Sequence, residues 1–352
     1  MFQYTEKLKD LFFFDLKPEV VKNIFKVDLV KEISFPVRAK RLINDVSDAR
    51  YNGGFPISYI IEGMYFIIGA DPKFKYKENY ISILEKNDYK IIKKIIAEEV
   101  SKNEMEDAFI LLKGLAVVQP NSENYEKLLI VAHQLSQNDL SFLDEEKSVI
   151  EEAKSIPKFP LVYLYEAMIK RKEEDYELAE FAINKYVDLG GQVDEEISQF
   201  IEELNLSKDF DLGKELVLKN PSESIKILLP LLDNFKDNTS LLYNIALAYR
   251  NLKNHEKAIY YLNEVMRIDS NIVEVFNEFG LNYASLEDYK NAIPYFRKAF
   301  EATKSIEICT NLILCYYNDK NMEQAKLHLE IAKKIMPEDE VVIQLEKMLA
   351  LK

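Results

Sequence analysis

The chain has 352 residues, of which 48% are hydrophobic and 30% are charged, a composition typical of a folded rather than a disordered protein. Only 9 glycines and 11 prolines leave little room for a turn-rich β architecture, and abundant Leu, Ile, Lys and Glu favour helix. The formal net charge of −14 disfavours a nucleic-acid partner and an anionic membrane surface, because both would be repelled.

The charge is distributed unevenly along this acidic protein. Residues 1–87 carry 14 basic and 12 acidic side chains, whereas residues 120–212 carry 9 basic and 22 acidic ones. We interpret the acidic middle segment as solvated helix surface that keeps the protein soluble. A basic partner that docks there is the alternative interpretation.

The N-terminal 87 residues are predicted to be mostly helical. Residues 1–16 have the pattern of a short amphipathic helix that ends in an aromatic cluster, and Pro18 suits the first position of a helix over 18–26. Ser34–Val37 predicts extended backbone, because the residue before a proline avoids helical geometry. A further helix is predicted over Val37–Val46.

A glycine-containing loop and an apolar helix follow. Arg50–Gly54 has paired glycines, which favour a turn. Pro56–Ile68 is apolar nearly all round, which predicts a helix buried on more than one side, and Asp71-Pro72 should end it. Arg50–Asp71 is the most enzyme-like stretch, but we interpret its loop as a structural turn rather than the edge of a small-molecule pocket. Residues 1–87 resemble no known family.

Helix pairs are predicted from Asp88 onward. Asn87-Asp88 supplies an N-cap for a helix that runs to Val100, and Ser101–Asn103 turns the chain. The next predicted helices follow each other at the spacing of antiparallel pairs: Met105–Val118, Ser122–Gln134, Ser141–Lys154, Leu161–Lys170, Tyr176–Val187, Asp194–Leu204, Lys208–Lys219 and Ser222–Asn234.

One pattern occurs three times in succession between Thr239 and Pro337. An aromatic, a small and a bulky residue each recur once in every copy: Tyr249, Tyr283 and Tyr316; Ala258, Ala292 and Ala325; Leu262, Phe296 and Leu329. Their period of about 34 residues indicates stacked helical hairpins, each built from a helix A and a helix B. We expect the alanine where the two backbones come closest, and the bulky residue in the space to the next unit.

This pattern resembles the tetratricopeptide repeat. In that family a large apolar residue comes early in helix A, a leucine-like residue follows three positions later, and a glycine or alanine comes next. These sites are matched here by Leu242, Phe276 and Cys309, by Ile245, Phe279 and Leu312, and by Ala246 and Gly280 but not Ile313. A later small site holds Val265, Ala299 and Ala332, and the closing proline is met by Pro337 alone.

The resemblance implies an all-α fold, a right-handed α-solenoid of antiparallel helix pairs. We predict a helical N-terminal region over 1–87, diverged helix pairs over 88–238, three clear repeats over 239–337 and a capping helix over 338–352. The individual repeats are predicted at 239–272, 273–305 and 306–337. An unpaired amphipathic helix commonly covers the last hydrophobic face of a solenoid.

Members of this family usually bind peptides in the concave face lined by the A helices. The family's binding sites correspond here to Ser240, Tyr243, Leu247 and Arg250 in the first repeat, to Glu274, Asn277, Leu281 and Ala284 in the second, and to Glu307, Thr310, Leu314 and Tyr317 in the third. Two further residues match a family asparagine that hydrogen-bonds a ligand backbone, Asn244 and Asn311. The resemblance therefore implies a protein or peptide partner, without identifying it.

One leucine site recurs in all three repeats and is expected to form an apolar track between two tyrosines: Leu247, Leu281 and Leu314, flanked by Tyr243 and Tyr317. Glu274 and Glu307 lie in the same groove and Arg250 is its only base, so a chaperone's terminal carboxylate would be poorly held. We expect instead an apolar or amphipathic segment with a basic residue. Alternatively, residues 1–87 or a neighbouring subunit cover the track, which leaves a homo-oligomer open.

The sequence contains no phosphate-binding glycine loop, HExxH or CxxC motif, so we predict a non-enzymatic protein without cofactor or metal. His133, His255 and His328 lie in different helix pairs, and we expect the last two to be solvated. Cys309 and Cys315 are six residues apart on one predicted helix, about 9 Å, which is too far for a disulfide.

We therefore predict an interaction scaffold or adaptor. The alternative is a peptide-sensing regulatory receptor whose superhelix switches an effector. Residues 1–50 are not notably basic and show no recognition helix, which favours the scaffold. A cytoplasmic location is expected, because the N-terminus has no signal-peptide pattern and the longest apolar segment, Ile57–Ile68, is too short to span a bilayer.

Overall fold

The computed structural model describes residues 4–47, 56–86 and 89–350. The chain divides into two compact units, residues 1–199 and 200–352, and each is described by itself. Antiparallel helix pairs dominate both units, so the predicted all-α class is confirmed, with one two-stranded sheet in the first unit as the exception. The predicted segment boundaries at 87/88 and 238/239 and the handedness of the solenoid stay predictions.

The first unit begins with a small sheet where a helix was predicted. The elements are α1 (Tyr4–Leu8), β1 (Leu11–Leu16), α2 (Pro18–Phe25), β2 (Ile33–Arg38) and α3 (Ala39–Ser47). Strand β1 pairs antiparallel with β2, from Leu11 opposite Arg38 to Leu16 opposite Ile33. The predicted helix over 1–16 is therefore wrong beyond Leu8, because the aromatic run that follows favours strand once a partner strand supplies the hydrogen bonds.

The predictions for the segments on either side of residue 30 agree more closely with the structure. Helix α2 agrees with the predicted helix over 18–26, and Ser34–Val37 is extended as predicted, within β2. Helix α3 starts two residues later than predicted, because Val37 and Arg38 pair with β1. The predicted loop Arg50–Gly54 and the predicted N-cap Asn87-Asp88 lie outside the described residues.

Helix α4 (Ile57–Ala70) lies at the centre of the first unit, as its apolar sequence predicts, and every residue from Ile60 to Ala70 is buried. It passes very close to its neighbours: a Cβ added to Gly63 would lie 2.1 Å from the Pro36 carbonyl oxygen, and one added to Gly69 would lie 2.0 Å from that of Ile110. Glycine at these positions therefore permits backbone contact.

A cluster of buried charges fastens β2 and α3 to this centre. Arg38, which is 2% exposed, donates to Glu62 at 3.0 Å and also pairs with Asp107. Arg41 donates to the other oxygen of Glu62 at 2.7 Å and to Glu99 at 3.1 Å. Because each carboxylate has at least two cationic partners, these buried charges compensate one another. No sequence motif predicts this cluster.

The rest of the first unit consists of helices that pair antiparallel along the chain. They are α5 (Lys77–Leu84), α6 (Lys90–Ser101), α7 (Met105–Val118), α8 (Ser122–Asn138), α9 (Leu143–Ala153), α10 (Leu161–Lys172) and α11 (Tyr176–Asp188). All but α5 were predicted, with ends that differ by a few residues.

One long helix replaces two predicted ones. Helix α12 is continuous from Glu195 to Lys219, whereas separate helices over Asp194–Leu204 and Lys208–Lys219 were predicted. The intervening residues contain neither glycine nor proline, and the Ser207 hydroxyl donates to the Glu203 carbonyl at 2.9 Å within the helix. A serine that satisfies its hydroxyl in this way does not end a helix.

The second unit contains the segment in which three repeats are predicted. Its further helices are α13 (Pro221–Leu231), α14 (Thr239–Asn251), α15 (His255–Ile268), α16 (Val273–Ser285), α17 (Tyr289–Thr303), α18 (Ile306–Asn318), α19 (Met322–Ile335) and α20 (Glu340–Ala350). Asparagine or aspartate side chains cap six of them by accepting from a backbone N–H three residues on: Asn220, Asn238, Asn254, Asp288, Asn321 and Asp339. Such caps stabilise helix starts by about 1 kcal/mol each.

The packing inside the repeats follows the sequence pattern. Ala258, Ala292 and Ala325 are fully buried. A Cβ on Gly280 would lie 2.6 Å from the Phe296 ring, so a small residue is needed where α16 meets α17. At the end of the chain, α20 contributes buried residues to the α18–α19 core, as a capping helix does: Val342, Leu345 and Leu349.

Candidate functional site

The predicted binding residues all lie on α14, α16 and α18, the first helices of the three pairs. Helix α14 contacts α16 directly as well as its own partner α15, so the first helices of the first two pairs stand side by side. We call the surface they share the A-helix face, defined by the predicted positions on these three helices. The structure leaves four of these positions exposed, which are Ser240, Glu274, Glu307 and Leu314.

The three leucines differ in exposure. Leu314 is 37% exposed, whereas Leu247 and Leu281 are half-buried and pack against the cores of their repeats. Tyr243 and Tyr317 are also half-buried against these cores. The apolar contribution to the A-helix face is therefore concentrated at Leu314, with the edges of the other two leucines beside it.

Arg250, predicted to be the only base on this face, already has an intramolecular partner. Its Nη1 donates to Oε1 of Glu278 at 3.1 Å, across the contact between α14 and α16. Glu278 is only 6% exposed, and its second oxygen, Oε2, is buried without a hydrogen-bond partner among the described residues. Burial raises the pKa of Glu278, and the nearby Arg250 offsets this only in part.

Glu278 was missed by the sequence analysis, although the repeat register identifies it. In the middle repeat it occupies the position that Asn244 holds in the first repeat and Asn311 in the third, which is the site of the family asparagine. A carboxylate at that site was overlooked because only asparagines were matched. The middle repeat therefore places an acidic group where its neighbours place neutral amides.

The predicted asparagines are used differently from one another. Asn244 is buried and donates its side-chain amide to the Ser240 carbonyl at 2.8 Å, within its own helix. Asn277 has its side-chain oxygen buried without a hydrogen-bond partner in the described part of the chain. Asn311 is half-buried. Asn277 and Glu278 thus give the middle of the A-helix face two unused acceptors.

The remaining predicted positions complete the face. The Thr310 hydroxyl is satisfied by the Glu307 carbonyl at 2.8 Å, and Ala284 is half-buried. The pKa of Tyr243 is raised to about 12, chiefly by burial and further by Glu278, whereas Arg250 acts in the opposite direction. The phenol therefore stays protonated beside the carboxylate.

The histidines and cysteines form structural contacts. His255 and His328 were expected to be solvated, but both are half-buried: His255 Nδ1 lies 3.0 Å from Asn282 Oδ1, and His328 Nδ1 lies 2.9 Å from the Gln324 carbonyl. His133 Nδ1 lies 2.7 Å from Glu146 Oε1. The two cysteines are unpaired as predicted, and burial raises the pKa of Cys309 to about 11 and of Cys315 to about 12.

Two other kinds of site are absent from the described residues. Over 4–47, 56–86 and 89–350, no group of three or more His, Cys, Asp or Glu side chains is placed to hold a metal ion. Within the same ranges no helix combines the length and the apolar character needed to cross a membrane.

Comparison with solved structures finds proteins of similar architecture at low identity. YrrB, described as a TPR protein with an unusual peptide-binding site, is 20% identical over 57% of this chain and 97% of its own, with a TM-score of 0.41. MamA from Desulfovibrio magneticus RS-1 is 19% identical over 42% of this chain and 82% of its own, with a TM-score of 0.39. PilW, described as a type IV pilus biogenesis factor, is 16% identical over 62% of this chain and 98% of its own, with a TM-score of 0.38.

Sequence comparison identifies the repeats themselves. No curated protein sequence matches the chain. The tetratricopeptide repeat family, however, matches residues 239–272 and 273–305, which are the bounds predicted for the first two repeats. The structure forms one antiparallel helix pair in each match, α14–α15 and α16–α17. Residues 239–305 therefore form two consecutive tetratricopeptide repeats.

Proposed function

We propose that this protein is a non-enzymatic interaction scaffold whose A-helix face binds a segment of a partner protein through apolar contacts and one basic side chain. The observation that carries the proposal is Glu278, a carboxylate that is 6% exposed and has one buried oxygen without a donor among the described residues. A buried acceptor without a donor costs about 1–3 kcal/mol, and a ligand that supplies the donor recovers this free energy.

The charges around Glu278 favour a cationic donor. Glu274, Glu278 and Glu307 lie on the same face, and Arg250 is the one cation among its defining residues. A lysine or arginine of the bound segment would reduce this excess of negative charge, whereas an acidic residue would increase it. The proposal therefore assigns the partner segment a basic residue near the middle repeat.

The apolar part of the segment would contact Leu314. This side chain is 37% exposed at the third repeat, and the half-buried Leu281 stands at the same site one repeat earlier. An amphipathic or extended segment that crosses from Glu278 toward Leu314 satisfies both features. Such a segment supplies affinity by apolar burial and orientation by its basic residue.

Fluorescence anisotropy with two labelled peptide pools tests this function. The pools share a leucine, alanine and serine background and differ only in a fixed central lysine or glutamate. We expect the lysine pool to bind the full chain more tightly, and Glu278→Gln to weaken its binding about tenfold, which corresponds to one charged hydrogen bond. Glu256→Gln is the matched control, because Glu256 is an exposed carboxylate on α15.

A second variant tests the apolar contact. Leu314→Ser should weaken binding of the lysine pool. Leu252→Ser, which alters an exposed leucine at the end of α14, should leave this binding unchanged. Equal binding of both pools, or equal effects of each variant and its control in proteins that remain folded by circular dichroism, would contradict the proposed function.

A further inference from the structure

A second cleft lies on the opposite helices of the repeats. It has a volume of about 720 Å³ and is formed between α17 and α19, with α18 contributing its floor. None of the residues that define the A-helix face lines it. The cleft is therefore a separate surface, and its chemistry can be considered independently of Glu278.

Three cations follow one edge of this cleft. Lys290, Arg297 and Lys304 line it, and they are spaced by seven residues along and just beyond α17. Seven residues are nearly two helical turns, so Lys290 and Arg297 lie in one row about 10.5 Å apart, and Lys304, the left-handed C-cap residue of α17, follows seven residues later at the end of that row. Lys290 and Lys304 are exposed at the two ends of the row.

The acidic groups beside the row neutralise it only in part. Glu301 Oε1 lies 4.0 Å from Arg297 Nη2, and both side chains are largely exposed, so this pair is weak. Asp319 lines the cleft near Lys290. In a chain with a formal net charge of −14, this cleft still presents three cations against two carboxylates.

The opposite wall combines apolar and neutral polar side chains, and no carboxylate of this wall lines the cleft. It is formed by α19, where Leu327 is 52% exposed and Ile331 is half-buried. On the floor of the cleft, burial raises the pKa of the Tyr316 hydroxyl. The Arg297 guanidinium lowers this pKa, but by less than burial raises it. The cleft thus combines a cationic edge with an apolar wall.

We propose that this cleft binds an extended acidic segment of a partner protein, with carboxylates at every third residue. In the extended polyproline II conformation a chain has three residues per turn and advances about 3.1 Å per residue, so every third side chain lies on one face and recurs at about 9.3 Å, close to the 10.5 Å that separates successive cations. The intervening side chains would then face Leu327 and Ile331. The match between the two spacings commits the ligand to an acidic segment in the polyproline II conformation.

Two labelled peptides of identical composition test this proposal. One has glutamate at every third position among alanine and valine, and the other has its glutamates contiguous. Fluorescence anisotropy with the full chain should show binding about tenfold tighter for the spaced peptide, because only that peptide matches the row of cations. The Glu278→Gln variant should bind the spaced peptide as the wild type does.

Matched charge-reversal variants locate the binding. Lys290→Glu combined with Lys304→Glu should weaken binding of the spaced peptide at least about tenfold. Lys326→Glu combined with Lys334→Glu changes the net charge equally at exposed α19 positions that do not line the cleft, and should have a much smaller effect. Failure of the spaced peptide to bind, equal affinity of both peptides, or equal loss in both double variants would overturn the proposal.

Discussion

Arg38 Nη1 donates to Glu62 Oε1 at 3.0 Å, and both side chains are almost completely withdrawn from solvent. The pair joins strand β2 to the central helix α4, and the Arg38 guanidinium carbon also lies 4.2 Å from the centre of the Phe66 ring. Two residues that are 24 positions apart in sequence thus fix the sheet to the helices of the first unit.

Replacing this arginine should destabilise the first unit strongly. Arg38→Met removes the partner of Glu62 and of Asp107 and leaves buried carboxylates less compensated, so we expect a loss of about 3–5 kcal/mol. Urea unfolding monitored by circular dichroism measures the change. Lys9→Met, which breaks the exposed pair with Glu6, should cost less than about 1 kcal/mol. Comparable losses in the two variants would show that the buried cluster does not stabilise the fold.

The same cluster makes stability depend on acid pH. Burial alone would raise the pKa of Asp107, but Arg38, Lys40 and Lys7 outweigh burial and hold this pKa well below its usual range. A depressed carboxylate pKa contributes stability above the unfolded-state value of about 3.9, and this contribution is lost as the pH falls through the folded-state value. The free energy of unfolding of Asp107→Asn should therefore lie below that of the wild type by a constant amount above about pH 5. The difference should narrow at lower pH, and a gap that stays constant down to about pH 2 would contradict this assignment.

The close approach of α4 and α7 predicts a sensitivity to single methyl groups. A Cβ on Gly114 would lie 2.0 Å from the Tyr65 carbonyl oxygen, so Gly114→Ala must separate two backbones and should cost at least about 1–3 kcal/mol. Gly213→Ala is the comparison, because its nearest neighbour is the flexible Leu228 side chain. The midpoint temperature of thermal unfolding should be clearly lower for Gly114→Ala than for Gly213→Ala. The reverse order would contradict the packing of α4 against α7.

Peptide binding at the A-helix face should release a proton. Burial raises the pKa of Glu278 in the free protein, and a basic ligand residue beside it would lower that pKa. The affinity for a lysine-containing peptide should therefore fall as the pH is lowered toward the raised pKa of Glu278, because protonation of this carboxylate competes with the basic ligand residue. Titration calorimetry in buffers of different ionisation enthalpy measures the released proton. Glu278→Gln should abolish the release, and an unchanged release in that variant would assign it to another group.

The repeats could be predicted from sequence because their information is local. A period of about 34 residues with a small residue at a fixed place specifies helix, turn and contact within each unit. The observed helices α14–α19 follow that period. Strand β1 was missed because Leu11–Leu16 becomes a strand only through pairing with residues 33–38, which the local pattern does not reveal. The same holds for Arg38, whose partners lie on α4 and α7.

Within the candidate site, the helix and register of each residue were predictable, but its exposure was not. Leu247, Leu281 and Leu314 share one register, yet only Leu314 is exposed, because the neighbouring helices cover the other two to a different extent. The sequence identifies Arg250 as a base on this face, but it does not reveal the pairing of Arg250 with Glu278 across the helix contact. Register alone would have identified Glu278 had carboxylates been matched along with asparagines.

Photo-crosslinking tests the central claim most directly, since it locates the bound segment. The lysine-containing peptide pool is synthesised with a photoreactive lysine analogue, irradiated with the full chain and mapped by mass spectrometry. The account predicts adducts on α14 and α16 within Tyr243–Arg250 and Asn277–Leu281, the residues that surround Glu278. Adducts confined to α15, α17 and α19 would contradict it.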